Sequence, residues 1–258
     1  MSPGPDPLAS GSPGERALFD LSEFGLGGMT RLGAKLREAG EGAESLEDAA
    51  DRIVGLLYES LADASGAKNC VLARLFLTRR QGDLEPSLQD VGARLMAGKP
   101  LTPETRCLTL VATRGAEPAW CVPSESRGHQ SIPLPSTEVV SSIPMVSQLL
   151  AQLGLDPAIV VDPSSELLLE RDQTSYNVFF VPDALGSAHI PAQAEFVEPY
   201  GVRSVIGFGG LLPSGSVFAV LLFARVLVPT STADMFRNAA MNTKLALLPF
   251  DSLGTVPR

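Results

Sequence analysis

Val202-Arg-Ser-Val-Ile-Gly-Phe-Gly-Gly-Leu-Leu212 and Ser216-Val-Phe-Ala-Val-Leu-Leu-Phe-Ala-Arg-Val-Leu-Val228 are two apolar runs separated by Pro213-Ser-Gly215. Such runs, rich in β-branched and aromatic residues and joined by a Gly-containing turn, read as two antiparallel strands of a hairpin. Thr232 then opens a helix that runs to Leu247, with Ala233, Phe236, Ala240 and Leu245 as its buried positions. Working back, Tyr176 to Val181 is a short buried strand, and Ala192 to Tyr200 a short helix.

The first half has the same grain. Leu46, Ala49, Ala50, Ile53, Val54, Leu57 and Leu61 recur at helical spacing from Ser45, with Asp48 completing a capping box, and the helix stops near Gly66. A strand from Cys70 to Thr78 follows, then a polar break, a helix from Ser87 to Met96 and a second strand from Cys107 to Thr113. Arg114-Gly-Ala116 reads as a turn, after which Trp120 to Pro123 returns as a third strand. An amphipathic helix spans Val139 to Leu153, with Pro144 in its first turn. Ahead of all this, Glu15 to Glu38 predicts a helix weakened by Gly25, Gly27, Gly28 and Gly33, available to dock on a partner or on the next helix. Residues 1–15, mostly Pro, Gly and Ser, read as a disordered leader, and 251–258 as a tail. The organisation is therefore a helical segment over 16–43 and one domain over 44–250 with an insertion at 79–106. Its class is α+β: an antiparallel sheet of five to six strands flanked by helices.

Composition narrows the function. The 258 residues are 45% hydrophobic and 19% charged, as in a folded globular chain. A net charge of −9 disfavours binding to nucleic acid, which needs a basic face. The longest apolar run, Val217 to Ala224, is too short to span a bilayer, and MSPGPDPLASGSPGE is no secretory signal. Three scattered cysteines make no disulfide framework, so a cytoplasmic location is expected.

The order of elements, and above all Val202–Gly210, Gly215–Ala224 and the helix from Thr232, resembles a GAF domain, a relative of PAS sensory modules. The resemblance covers about residues 45–250, and the 79–106 insertion departs from a minimal domain of that family. It implies a six-stranded sheet with a pocket on one face, serving as an input module in bacterial signalling, commonly as a dimer. The apolar positions on the helices at 45–66 and 232–248 exceed what one sheet face needs and point to a homodimer, with core packing as the alternative.

Catalytic motifs are missing. Gly207-Phe-Gly-Gly210 lacks phosphate-loop spacing and leads into a strand, where glycine marks close backbone approach. His129 and His189 lack metal-ligand spacing, and Leu211-Leu-Pro-Ser-Gly-Ser216 is no nucleophile elbow. The candidate ligand-binding residues are aromatics and a few polar anchors: Trp120, His129, Tyr176, Asn177, Phe179, Tyr200 and Arg203. Phe179 and Tyr176 read equally as core, and Arg203 is placed to meet an acidic ligand or Glu198. Cys107 and Cys121 flank the turn at residue 114 symmetrically, so a hairpin there would oppose their thiols. Three functions follow: a non-catalytic sensory domain that binds a small ligand or a protein partner, a thiol-dependent redox enzyme or switch on Cys107 and Cys121, and a pure interaction module.

Overall fold

A computed structural model describes residues 18–97, 100–126, 129–163 and 177–251, so the expected leader, most of the tail and Tyr176 lie outside the described residues. Six strands form one antiparallel sheet: β1 (Cys70–Arg80), β2 (Arg106–Gly115), β3 (Ser131–Pro133), β4 (Val178–Val181), β5 (Ser204–Leu211) and β6 (Val217–Ala224), in the order β3-β2-β1-β6-β5-β4. The α+β class and antiparallel sheet expected from the sequence are what the chain adopts.

Helices cover both faces. Against the first lie α1 (Leu26–Glu38), α2 (Leu46–Ser60) and the C-terminal helix Thr230–Leu247, numbered α8 below. The strands supply Leu75, Leu77, Ile206, Phe208, Phe218 and Leu222 to that layer. Against the second face lie α4 (Thr137–Ser142), α5 (Pro144–Leu153) and α6 (Pro157–Val161), over Phe76, Leu110, Phe179, Val205 and Phe223. Among the described residues the remaining helices are α3 (Pro86–Leu95) and α7 (Glu198–Tyr200), the latter entered through a π-turn at Gln193–Val197.

Two bulges set which side chains face which layer. On β1 Cys70 pairs with Ala224 and Leu72 with Phe223, so Val71 is an extra residue. Val71 and Leu72 consequently both face the second layer, and Cys70 and Ala73 the first. On β2 the same device at Val111 turns both Val111 and Ala112 towards the first layer.

Several local expectations need correction. Residues 120–123 form no strand: Pro118–Trp120 and Pro123–Glu125 are 3-10 turns, and the third strand is Ser131–Pro133, on β2's outer edge. The helix expected over 139–153 is two, because the residue before a proline is pushed out of the helical region: Ile143 (φ −99°, ψ 100°) ends α4 and Pro144 starts α5. The helix expected from Glu15 starts only at Leu26. Ahead of it the chain is extended, because the Phe19 and Leu21 N–H groups donate to Ser60 O and Asn69 Oδ1, and Phe24 stacks on Phe236. This segment and α1 (Met29, Leu32, Leu36) share the first core with residues 44–250, rather than standing apart for a partner.

The sheet edges are guarded. The 79–106 insertion folds α3 against β3, with Gly92 close to Pro133 and Gln81. At the other edge the β4 Phe180 N–H donates to the Gln152 side chain of α5, which blocks pairing with a further strand.

Candidate functional site

The central strand β1 is apolar from Cys70 to Leu77 except for one residue, Arg74. Paired with Thr113 on β2 and Leu221 on β6, it stands in the middle of the second face. Its Nη2 donates to Ser126 Oγ at 2.7 Å, while the buried Nε has no partner. Among the described residues no carboxylate pairs with it, and burial pushes its pKa down to about 10. An arginine so enclosed with no counter-charge is costly, and proteins seldom keep one without a use.

The segment after β2 builds the surroundings. Thr113 Oγ1 donates to Trp120 O, and Arg114, bonded also to Asp51 on α2, donates to Cys121 O at 3.1 Å. These bonds fold the 3-10 turn back over the sheet and lay Trp120 on Gly115, where a Cβ would fall 2.8 Å from the indole. Only glycine leaves that room. The indole meets Tyr200 (centroids 4.5 Å apart) and Phe196 (5.5 Å), and Phe196 packs edge-on against Phe223 (5.1 Å). Gln130 Nε2 bonds both Ser124 O and Ser126 O, fixing the loop that carries the Arg74 partner. His129 has a left-handed backbone (φ +58°). Although the residue as a whole is exposed, desolvation of its ring and, after it, the charge of Arg74 hold its imidazole below the ordinary value. That direction favours the neutral imidazole at neutral pH.

Of the residues singled out from sequence, Trp120 and Tyr200 meet directly, and His129 feels the charge of Arg74. The others lie elsewhere. Phe179 is fully buried on β4 opposite Gly207, where a Cβ would come within 3.0 Å of its ring, so it is a core residue. Asn177 rests against Gly154 at the end of α5. Arg203 is exposed and, among the described residues, makes no ion pair with Glu198 or any other acid. Arg74, Ser126 and Phe196 were not anticipated; the lone charge inside an apolar strand was the signal for the first.

The opposed-thiol geometry is also corrected. Cys107 pairs across the sheet with Arg79 and Pro133, not with Cys121. Cys121 Sγ lies 3.6 Å from Gly115 O, at the far end of β2, roughly 25 Å of extended strand from Cys107. A disulfide needs Cα atoms within about 7 Å. Cys107 is instead held by the 79–106 insertion, its thiol donating to Gln81 Oε1.

Among the described residues no group of three or more His, Cys, Asp or Glu is placed to hold a metal ion, and no helix is long and apolar enough to cross a membrane. No protein-family model and no curated protein sequence matches this chain.

Proposed function

We propose that this chain is a GAF-like sensory or regulatory domain of bacterial signal transduction, cytoplasmic and without catalysis of its own, that takes a small anionic ligand on the second face of its sheet. The observation that carries the reading is Arg74, enclosed on the central strand without a counter-charge among the described residues. A carboxylate or phosphate bound there gains charge-assisted bonds in a poorly solvated place, and the Trp120, Phe196 and Tyr200 rings offer apolar contact to the rest of the molecule. Support for the family comes from the order of elements and the closing β5–β6 hairpin with α8 on an antiparallel sheet. The accompanying homodimer would join α1 and α8, where Leu26, Met241 and Leu245 are exposed.

Native mass spectrometry of the protein purified from its natural host tests this directly. A small acidic molecule retained by the wild type and lost from Arg74→Met is the expected result, and the same spectrum reads the dimer. Equal retention by Arg74→Met would put the ligand elsewhere, and a bare mass in every preparation would favour a pure interaction module.

A further inference from the structure

A separate cleft of about 870 Å³ opens at the end of the sheet where β1 leaves and β2 enters, bordered by the α2 N-terminus and the β5–β6 turn. It is of a size that holds small molecules. Its charged groups are mostly spoken for. Arg79 is bonded to Glu47, Arg80 to the exposed Glu104 at 3.2 Å, and Asp251 Oδ2 accepts the Ser214 N–H at 2.8 Å. Two are not: the exposed Asp83, whose carboxylate makes no hydrogen bond or ion pair among the described residues, and Arg106. Arg106 lines the cleft, is only 8% exposed, and among the described residues its side chain makes no hydrogen bond or ion pair. Burial, and then the charge of Arg80, lower its pKa; Asp83, Asp162 and Glu104 act against this from beyond ion-pair distance.

An arginine more than nine-tenths buried as a residue, whose guanidinium has no partner among the described residues, is unfavourable unless something else completes its hydrogen bonds. Replacing it by an apolar side chain of similar volume is expected to stabilise the empty protein, so its presence in a cleft points to a ligand. From the buried, unpaired Arg106 facing this cleft, we infer a second binding site, for the carboxylate or phosphate group of a small molecule. The planar fork of an arginine matches the two oxygens of either group. An extended polyanion is excluded by the acidity of the whole chain, net −9, whereas a small anion is accommodated within the cleft. The site is distinct from that at Arg74, although strand alternation puts both arginines on the second face: Arg106 pairs with Arg80, six positions beyond Arg74 on β1 and so roughly 20 Å away.

Thermal unfolding with chloride as the starting anion, then with added inorganic phosphate or acetate, tests it on the full chain. Both the wild type and the surface control Arg237→Gln should gain stability saturably with at least one added anion, and so should Arg74→Met. Arg106→Met should unfold at a higher temperature than wild type in chloride, and in the Arg74→Met background, where the other anion site is removed, it should gain nothing from either anion. Arg106→Lys keeps the charge but loses the fork, and should bind about tenfold or more weakly. A response to phosphate alone assigns a phosphoryl ligand, to acetate alone a carboxylate, and to both the shared chemistry. The inference is overturned if neither anion stabilises the wild type, or if, in the Arg74→Met background, Arg106→Met or Arg106→Lys responds as Arg74→Met alone does.

Discussion

One substitution, glycine to alanine, should have three different outcomes at Gly55, Gly207 and Gly209. At Gly55, inside α2, a Cβ meets nothing within 4 Å, so alanine removes only the entropic penalty of a helical glycine, about 0.8–1 kcal/mol. At Gly207 the new Cβ falls 2.8 Å from Leu221 Cδ2 and 3.0 Å from Phe179 Cδ1. Both are side-chain atoms that can shift, so crowding of about 1–2 kcal/mol is partly offset by the stiffer unfolded chain. At Gly209 it falls 2.2 Å from Phe218 O, a backbone atom held in the β5–β6 ladder, with Ala219 Cα at 3.1 Å. Nothing there rotates away, so the cost reaches the top of the overpacking range, about 3 kcal/mol or more. For a chain of this size about 1 kcal/mol moves the midpoint by about 2–4 °C. Thermal unfolding by circular dichroism should therefore place Gly55→Ala about 2–4 °C above wild type, Gly207→Ala a few degrees below, and Gly209→Ala about 6–12 °C below. A Gly209→Ala protein as stable as wild type would refute the close approach of β5 to β6 and the register built on it.

The cysteines give two further tests. A thiol reagent should modify Cys121 alone in the native protein, because Cys70 and Cys107 are fully buried; simultaneous loss of the Cys107 and Cys121 thiols on mild oxidation would show that these residues approach each other after all. Burial pushes the Cys70 thiol up to about 12 and the Cys107 thiol up to about 11. An acid whose pKa is raised on folding loses its proton first in the unfolded chain. Stability should thus be unaffected by these groups below about pH 9 and fall by about 1.4 kcal/mol per pH unit per thiol above it, to about pH 11 for Cys107. Urea midpoints across that window check this, and Cys70→Ala should halve the slope.

What could be read from the chain followed the strength of local signals. The α2 helix was legible because Ser45 accepts the Asp48 N–H and Asp48 Oδ2 the Glu44 N–H, a cap written in four residues, before an apolar stripe. The β5–β6 hairpin was legible because Pro213-Ser-Gly215 marks its turn. The third strand was not, since Ser131–Pro133 is three residues long, too short for any alternation to register and ended by a proline. Pairing Cys107 with Cys121 failed for a related reason: symmetry about residue 114 assumes a hairpin, and Pro118 and Pro123 convert the returning limb into 3-10 turns. Arg74 carried a signal, a charge in an apolar run, that composition and motif searches pass over. Arg106 carried none, because its burial and lack of a partner are created by tertiary packing.

These two arginines matter because the rest of the fold is locally consistent. Both sheet faces are covered, the edge strands are guarded by α3 and Gln152, and Gly209 of β5 sits where a backbone atom leaves no room for a Cβ. In such a chain a violation of ordinary preferences marks function more reliably than a motif does. Arg74 and Arg106 both break the rule that an enclosed guanidinium has a counter-charge, yet they differ in what surrounds them. Arg74 stands two positions along β1 from Leu72, whose β2 partner Gly115 carries the Trp120 indole; Arg106 lines an open cleft at the end of the sheet, beside the ion-paired Arg80. The first arrangement selects for the apolar body of a ligand as well as its charge. The second selects for charge with little else, and this difference in selectivity is what ligand retention by Arg74→Met and anion stabilisation of Arg106→Met separate.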